Sequence, residues 1–333
     1  MGLDAHAVAA ICPDGMTHSA QATGRGTLVF IGVDTRGSSI MGLFPRWAEL
    51  LELDARIEGW DVRLGAEPAT YRDTVARLAG DPSIAGALVT SHKLDVYRHA
   101  GSLFDELDRY ARLCREISCI SRRAGRLLGQ AKDPITAGLA LEDLLGPGRR
   151  LDRTAKVLCL GAGGAGTAIC VRLLTAEPSP VRIVVADKDA GRLTTLGDIC
   201  AGLGARGVEL ARVAGAGEVD ALLAGLPEGS LVVNATGMGK DVPGSPLGNR
   251  ARFPHGALVW DLNYRGDLGF LRQARDQAGA RDLELHDGWR YFLHGWSQHM
   301  AQVYDLDLAP PLFERLAEAA EPLRQPTPAT SPS

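Results

Sequence analysis

The feature that most narrows what this chain can fold into is the stretch from Val157 to Arg192, VLCLGAGGAGTAICVRLLTAEPSPVRIVVADKDAGR. It runs apolar strand, glycine loop, apolar helix, apolar strand, acid. Gly161, Gly163 and Gly166 form G-x-G-x-x-G directly between strand and helix, the context that gives such a motif meaning. The first glycine permits a tight turn, the second lets a pyrophosphate approach the backbone, and the third lets helix pack on strand. The helix N-terminus then offers N–H groups and the positive end of its dipole. Asp187 ends the next strand, 21 residues beyond Gly166. A carboxylate there accepts hydrogen bonds from both hydroxyls of an adenosine ribose and repels a 2′-phosphate. Lys188 could reach such a phosphate, but Asp189 adds a second acid on its far side. The loop is expected to hold a dinucleotide, NAD in preference to NADP.

A chain of 333 residues is too long for one ordinary core and fits two domains. On both sides of the glycine loop short apolar runs alternate with amphipathic segments, the pattern of α/β architecture. In the first half TLVFIGVD (Thr27–Asp34), DVRLGAE and IAGALVT read as strands, and MGLFPRWAELLEL, TYRDTVARLAGD and SLFDELDRYARLC as helices. EISCIS and GRLLGQ read as a small hairpin around Arg122–Gly125. The second half has strands KVLCL, VRIVVAD, SLVVNAT, ALVWDLNY and LELHD, then helices from about Gly288 to Ala320. Residues 1–26 are small, polar and aperiodic and read as a flexible extension; residues 323–333 are rich in Pro, Ser and Thr and read as a disordered tail. The domain junction falls near Asp133–Gly146.

Composition removes other classes. The net charge of −4, with both signs scattered, gives no reason to expect nucleic acid or an anionic membrane as partner. There is no apolar run of about 18 residues and no basic start before an apolar core, so neither a membrane span nor a secretory signal is expected. The six cysteines have no metal-type C-x-x-C spacing, and His286, His294 and His299 lack a matching ligand pattern, so no metal is expected. A cytoplasmic enzyme is the expectation.

Five short motifs occur in an order that is similar to the shikimate/quinate dehydrogenase family. They are GALVTSHK, ending at Lys93; GQAKD, ending at Asp133; GAGGAG, Gly161–Gly166; NAT, at Asn234, Ala235 and Thr236; and DLNY, Asp261–Tyr264. The resemblance implies an N-terminal α/β substrate domain and a Rossmann dinucleotide-binding domain, with a C-terminal helix returning to the first domain. Its boundaries here would be residues 27–135 with 288–322, and 136–287. It implies an NAD(P)-dependent oxidoreductase that interconverts a ring hydroxyl and a ketone on a shikimate-like cyclic carboxylate. The partner is then a small cyclic hydroxy acid, and the sequence leaves the oligomeric state open, a homodimer included.

The resemblance also assigns roles. Lys93 is the acid/base and Asp133 orients it and accepts a substrate hydroxyl. Ser38, Ser39, Thr90, Ser118 and Gln298 surround the ring. Gly161, Gly163, Gly164, Ala165, Gly166, Asp187, Lys188, Asn234, Ala235 and Thr236 hold the coenzyme. The departures gather at the ring: Ser118 and Ala131 stand where the family has asparagine, and Gly295 where it has a late glutamine, with Gln298 one turn further on. Lys132 and Gln298 are the nearest residues to compensate. Chemically, hydride transfer to a ketone needs one proton moved and one oxyanion stabilised, and a lysine ammonium does both. The alternatives are a reductase for a related cyclitol or aminoshikimate intermediate, and a dinucleotide-binding regulator that does not turn over. A pure sensor needs neither Lys93 nor Asp133. Trp289, Tyr291, Phe292 and Trp296 read as core of the closing helix, with one of them available to line the ring pocket.

Overall fold

The computed structural model describes residues 25–151, 155–176, 182–240 and 242–324, so the expected extension at 1–26 and tail at 323–333 fall almost wholly outside the described residues. Among the described residues two six-stranded sheets follow one another along the chain. The first is built from β1 (Arg25–Gly32), α1 (Ser39–Leu50), β2 (Asp54–Asp61), α2 (Pro68–Gly80), β3 (Ile84–Val89), α3 (Lys93–Ala100), β4 (Glu106–Leu107), α4 (Arg109–Cys114), β5 (Cys119–Arg123) and β6 (Arg126–Gln130). Its strand order is β2-β1-β3-β5-β6-β4, with β1 parallel to both neighbours and β5 antiparallel to β3 and β6.

Helix α5 (Asp133–Leu145) leads into the second sheet: β7 (Lys156–Leu160), α6 (Gly164–Thr175), β8 (Arg182–Asp187), α7 (Ala190–Gly202), β9 (Val208–Arg212), α8 (Ala216–Ala224), β10 (Leu231–Asn234), β11 (Leu258–Asp261), α9 (Gly269–Arg275), α10 (Ala278–Arg281) and β12 (Glu284–His286). All its pairings are parallel, in the order β12-β11-β10-β7-β8-β9. Read from β7 as first strand this is 3-2-1-4-5-6, the doubly wound dinucleotide-binding order, whose reversal between β7 and β10 opens a crevice at their carboxyl ends.

The chain then returns. Helices α11 (Trp289–Tyr304) and α12 (Pro310–Ala320) close over the first sheet. Trp47 of α1 packs with Phe30, Trp289, Trp296, Phe313 and Leu316, all buried, and its indole N–H donates to the Leu316 carbonyl at 2.8 Å. Contact with β3 is close: a Cβ on Gly86 would come within 2.8 Å of Val303. Burial of this many aromatic side chains makes the return a structural requirement, since truncating one such residue costs about 3–5 kcal/mol.

Three expectations about the elements need correction. The strand expected at DVRLGAE lies earlier, at β2, whose alternating burial marks a sheet edge with one wet face. The helix expected over SLFDELDRYARLC is broken: Glu106 and Leu107 pair with β6, and the Asp108 carboxylate caps α4 by accepting from Ala111 N–H at 2.6 Å. Strand β9 was not expected at all, because at the far edge of its sheet it carries Glu209 and Arg212 among its apolar residues. The hairpin is where it was expected, with Ala124 and Gly125 both at positive φ, as a two-residue turn between twisted strands requires.

Candidate active site

Strand β7 ends at Leu160 and α6 begins at Gly164, so Gly161, Ala162 and Gly163 make the turn. Gly161 has φ +105°, and a Cβ on it would lie 2.7 Å from the Ala235 carbonyl oxygen. A Cβ on Gly166 would lie 1.9 Å from the Gly161 carbonyl oxygen, so only glycine lets α6 sit this close to β7. Gly163 is the opposite case, because a Cβ there would meet nothing within 4 Å. The loop is therefore open on that side, and no side-chain cap claims the first N–H groups of α6. An open glycine face, uncapped amides and a positive helix end together fit the pyrophosphate of a dinucleotide.

The loop lines a cavity of 470 Å³ that reaches Asp187, Lys188 and Arg192 on one side and Ala235, Thr236 and Met238 on the other. Of the expected coenzyme residues the cavity brings together Gly161, Gly163, Asp187, Lys188, Ala235 and Thr236. Gly164, Ala165, Gly166 and Asn234 do not line it. Asn234 is fully buried and shapes the wall: its side-chain oxygen accepts from the Thr236 N–H and hydroxyl, and its amide donates to Met238 and Asp261.

Asp187 also has a structural task. Its two oxygens accept from Ala162 N–H at 2.7 Å and Asp189 N–H at 2.9 Å, which ties the glycine loop to the end of β8. The Arg192 guanidinium lies 4.0 Å from Asp187 and 3.8 Å from Asp189, so one more cation stands at this end than the sequence reading singled out. Its signal was available in spacing: five residues beyond Asp187, it falls in the first turn of α7 and points back to the loop.

The second cluster lies where the first sheet meets α5 and α6. Lys93, the first residue of α3, donates from Nζ to Oδ2 of Asp133, the first residue of α5. Sequence places these residues 40 apart; the fold brings them together because β3 and β6 end on the same side of the sheet. The pair is mostly withdrawn from water, with side chains 21% and 8% exposed. Burial pulls the Lys93 ammonium down, but the Asp133 and Glu116 carboxyls and the hydrogen bond to Asp133 outweigh it and hold it above the ordinary lysine value. Two further groups at this centre are absent from the expected set. Glu116 is 1% exposed, and burial together with Asp133 pushes its carboxyl up to about 8. Tyr291 of α11 is half-buried and feels Asp133 and Glu116, which with its burial carry its phenol well above the usual value. A lone glutamate after a short helix carries no motif, and Tyr291 is distinguished from its aromatic neighbours only by which face of α11 meets α5.

The expected ring shell is divided. Ser38 stands at the N-cap of α1 without a side-chain cap bond, and Ser39 faces Tyr264 across the cleft with their hydroxyls 3.4 Å apart. Arg265 adds a second tie across the same gap, donating to the Gly37 carbonyl at 2.9 Å. Thr90 is half-buried at the end of β3, its hydroxyl turned to the Ile31 carbonyl at 3.3 Å. Ser118 departs from expectation: it is fully buried and its hydroxyl accepts from Lys132 N–H at 2.8 Å, which secures the entry to α5. Gln298 also departs. It makes no side-chain hydrogen bond among the described residues, and it is Gln302, one turn on, that accepts from Lys132 Nζ. His299 fills the space between, its ring against the Gly295 and Ser118 carbonyls at 2.5 and 3.0 Å.

A larger groove of 780 Å³ lies between the end of α5 and β12, and several of its charged groups are paired with one another or with neighbours. Arg149 binds Glu284, and Arg290 binds Asp143 and Glu314. None of the glycine-loop residues lines this groove, and neither cavity is lined by Lys93 or Asp133.

No protein-family model matches the chain. Among curated proteins, shikimate dehydrogenase (NADP(+)) of Methylobacterium radiotolerans is 31% identical over 242 residues, 72% of this chain and 78% of that protein. Shikimate dehydrogenase (NADP(+)) of Streptococcus gordonii is 30% identical over 175 residues, 52% of this chain, and the chain spans 58% of that relative's length. Among solved structures, a shikimate dehydrogenase in complex with NADP+ superposes with TM-score 0.71 at 20% identity, covering 91% of this chain and 96% of that one. A quinate dehydrogenase from Corynebacterium glutamicum in complex with NAD superposes with TM-score 0.69 at 23% identity, covering 89% and 98%. At these identities the structural likenesses speak to the fold alone.

Proposed function

The chain belongs to the shikimate dehydrogenase family, and on that premise we propose that it is an NAD(P)-dependent oxidoreductase acting on a ring hydroxyl of a shikimate-like cyclic carboxylate. The observation that carries this reading is the Lys93–Asp133 pair, mostly withdrawn from water, with Glu116 between it and the first turn of α6. In this reading residues 27–135 with 288–322 form the substrate domain and residues 136–287 the dinucleotide domain.

The open face at Gly163 and the uncapped start of α6 would hold the pyrophosphate, and Asp187, Lys188 and Arg192 would meet the adenosine ribose. When bound, the nicotinamide supplies or takes the hydride. Lys93 does the proton work: held as an ammonium through neutral pH, it donates to the ketone oxygen as negative charge develops there. That setting favours reduction, because oxidation needs Lys93 to accept a proton it already carries. Asp133 fixes the ammonium with one oxygen and leaves the other for a ring hydroxyl. Ser38, Ser39 and Tyr264 close the ring site from the α1 side.

For the coenzyme we favour NADP(H). The Asp187 oxygens accept from the Ala162 N–H of the loop and the Asp189 N–H beyond β8, while Arg192 and Lys188 supply two cations at the ribose end. The relatives named above carry NADP(+) in their names, although one structural neighbour was solved with NAD.

The test is a spectrophotometric panel of shikimate, quinate, aminoshikimate and cyclitols with NAD and NADP. Activity on at least one carboxylated ring polyol is expected, and none with any ring or coenzyme overturns the reading. Shikimate is expected to be a secondary substrate, because Ser118 is committed to the backbone and Ala131 and Gly295 offer no side-chain partner. Two uncompensated hydroxyl contacts at about 1–3 kcal/mol each lower kcat/KM by roughly 10² or more.

A further inference from the structure

Glu116 is the carboxyl of this centre that the proton chemistry above leaves unused. It follows α4 directly, after Arg115 turns the chain in the left-handed region at φ 52°. The next residue, Ile117, donates its N–H to the Lys93 carbonyl at 3.0 Å, so Glu116 is fixed beside the lysine. Its side chain is buried, and Oε1 has no hydrogen-bond partner among the described residues. Oε2 lies 3.2 Å from the position a Cβ on Gly164 would occupy, so the carboxyl is aimed at the first turn of α6. The groups that face it are Lys93 from α3, Asp133 from α5, Asp108 and Cys114 from the ends of α4, and Tyr291 from α11. The first turn of α6 presents backbone amides and the Thr167 hydroxyl, which is turned to the Ala162 carbonyl.

A protonated carboxyl tolerates this site. An ionised one would share the positive end of α6 with a second anion whenever a pyrophosphate is bound there. Burial and the Asp133 charge already push Glu116 up to about 8 without that second anion.

We propose that Glu116 couples dinucleotide binding to a proton: the complex forms with Glu116 as a neutral acid, and its ionised form opposes the pyrophosphate at the start of α6. This rests on the reading of α6 as the dinucleotide site. The balance is one dinucleotide, one proton and an ionised Glu116 going to a complex with a protonated Glu116. Glu116 touches no reacting atom and is a positioning residue. With it neutral, Lys93 keeps Asp133 as its one anionic partner, so its proton is released more readily in the complex than in the free chain.

The experiment is titration calorimetry of the full chain with NADPH and with NADH between pH 7 and 9.5, in two buffers of different ionisation enthalpy. The wild type should take up more than about half a proton at pH 9, and its Kd should rise about tenfold from pH 7 to pH 9.5. Glu116→Gln, neutral and equal in size, should bind with a pH-independent Kd and take up no proton. Tight binding without proton uptake by the wild type at pH 9 overturns the linkage, and so does a Glu116→Gln variant with the wild-type pH slope. No binding of either coenzyme at any pH overturns the dinucleotide site itself and the linkage with it. The wild-type proton count decides alone if the variant does not fold.

Discussion

The hydroxyl of Tyr264, just beyond β11, lies 3.4 Å from the hydroxyl of Ser39 at the start of α1, so a side chain from one sheet touches the expected ring shell of the other. Together with Arg265 on Gly37, this contact closes the cleft between the two sheets on the α1 side. Tyr264→Phe removes the hydroxyl and keeps the ring that packs on Trp289 and Phe292. The expected outcome is a rise of about three- to tenfold in KM for the ring substrate, as one hydrogen bond is worth about 1 kcal/mol. KM for the coenzyme and Tm should stay near wild type. A Tyr264→Phe enzyme with unchanged KM for every ring substrate would remove Tyr264 from the site.

Lys93 and Asp133 are separable by kinetics. Lys93→Ala should lower kcat by about 10² to 10⁴ while leaving dinucleotide affinity within a few-fold, because in the proposed function the lysine would meet the ring and not the loop. Asp133→Asn should lower kcat and raise KM together, since the carboxylate holds Lys93 and in the proposed function would receive a ring hydroxyl. Near-normal turnover in Lys93→Ala would refute the assignment.

Coenzyme choice turns on the ribose end. The wild type should show a higher kcat/KM with NADP(H) than with NAD(H). Arg192→Ala should reduce the NADP(H) value about tenfold or more and leave NAD(H) within about twofold, since a guanidinium–phosphate contact is charge-assisted and lost only with the phosphate. Asp187→Ala should lower both and cost about 1–3 kcal/mol of stability, because Ala162 and Asp189 lose their acceptor. Steady-state kinetics with both coenzymes checks all three. A wild-type preference for NAD(H) would return Asp187 to the role its position at the end of β8 suggests.

The contribution of two buried carboxyls to stability should fall as pH rises from about 4 to 8 in the ligand-free chain. It is opposed between about 4 and 6.5 by His299, whose imidazole burial pushes down to about 4. Burial pushes Asp261 up to about 7, and burial with the Asp133 charge pushes Glu116 up to about 8. In the unfolded chain both carboxyls ionise near 4, so across this window the unfolded state gives up protons that the folded state keeps. Their contribution is fully present below about pH 4 and is lost as pH passes 7 to 8. Asp261→Asn and Glu116→Gln should each have a higher Tm than wild type at pH 8 and a flatter profile from pH 5 to 8. Thermal melts of a variant that track the wild type across that window would show that the group ionises normally in the fold.

The sequence by itself determined the α/β class, the dinucleotide loop and the hairpin, because each rests on local chemistry. Gly161 needs its positive φ and Gly166, five residues on, its missing Cβ, and the Ala124–Gly125 turn needs its two adjacent left-handed residues. The edge strands β2 and β9 were less legible, since a wet face dilutes the apolar pattern that marks a buried strand. The family resemblance nominated Lys93 and Asp133, but their hydrogen bond belongs to the tertiary structure, which ends β3 and β6 on one side of a sheet. Tertiary structure alone decided the rest of the centre. It turned Ser118 inward to Lys132, put Gln302 and His299 near the place expected for Gln298, and brought Arg192 to Asp187. It also buried Glu116 against Gly164, 48 residues away in sequence. A carboxyl acquires an unusual proton affinity only from what surrounds it, and those surroundings come from five separate segments of the chain.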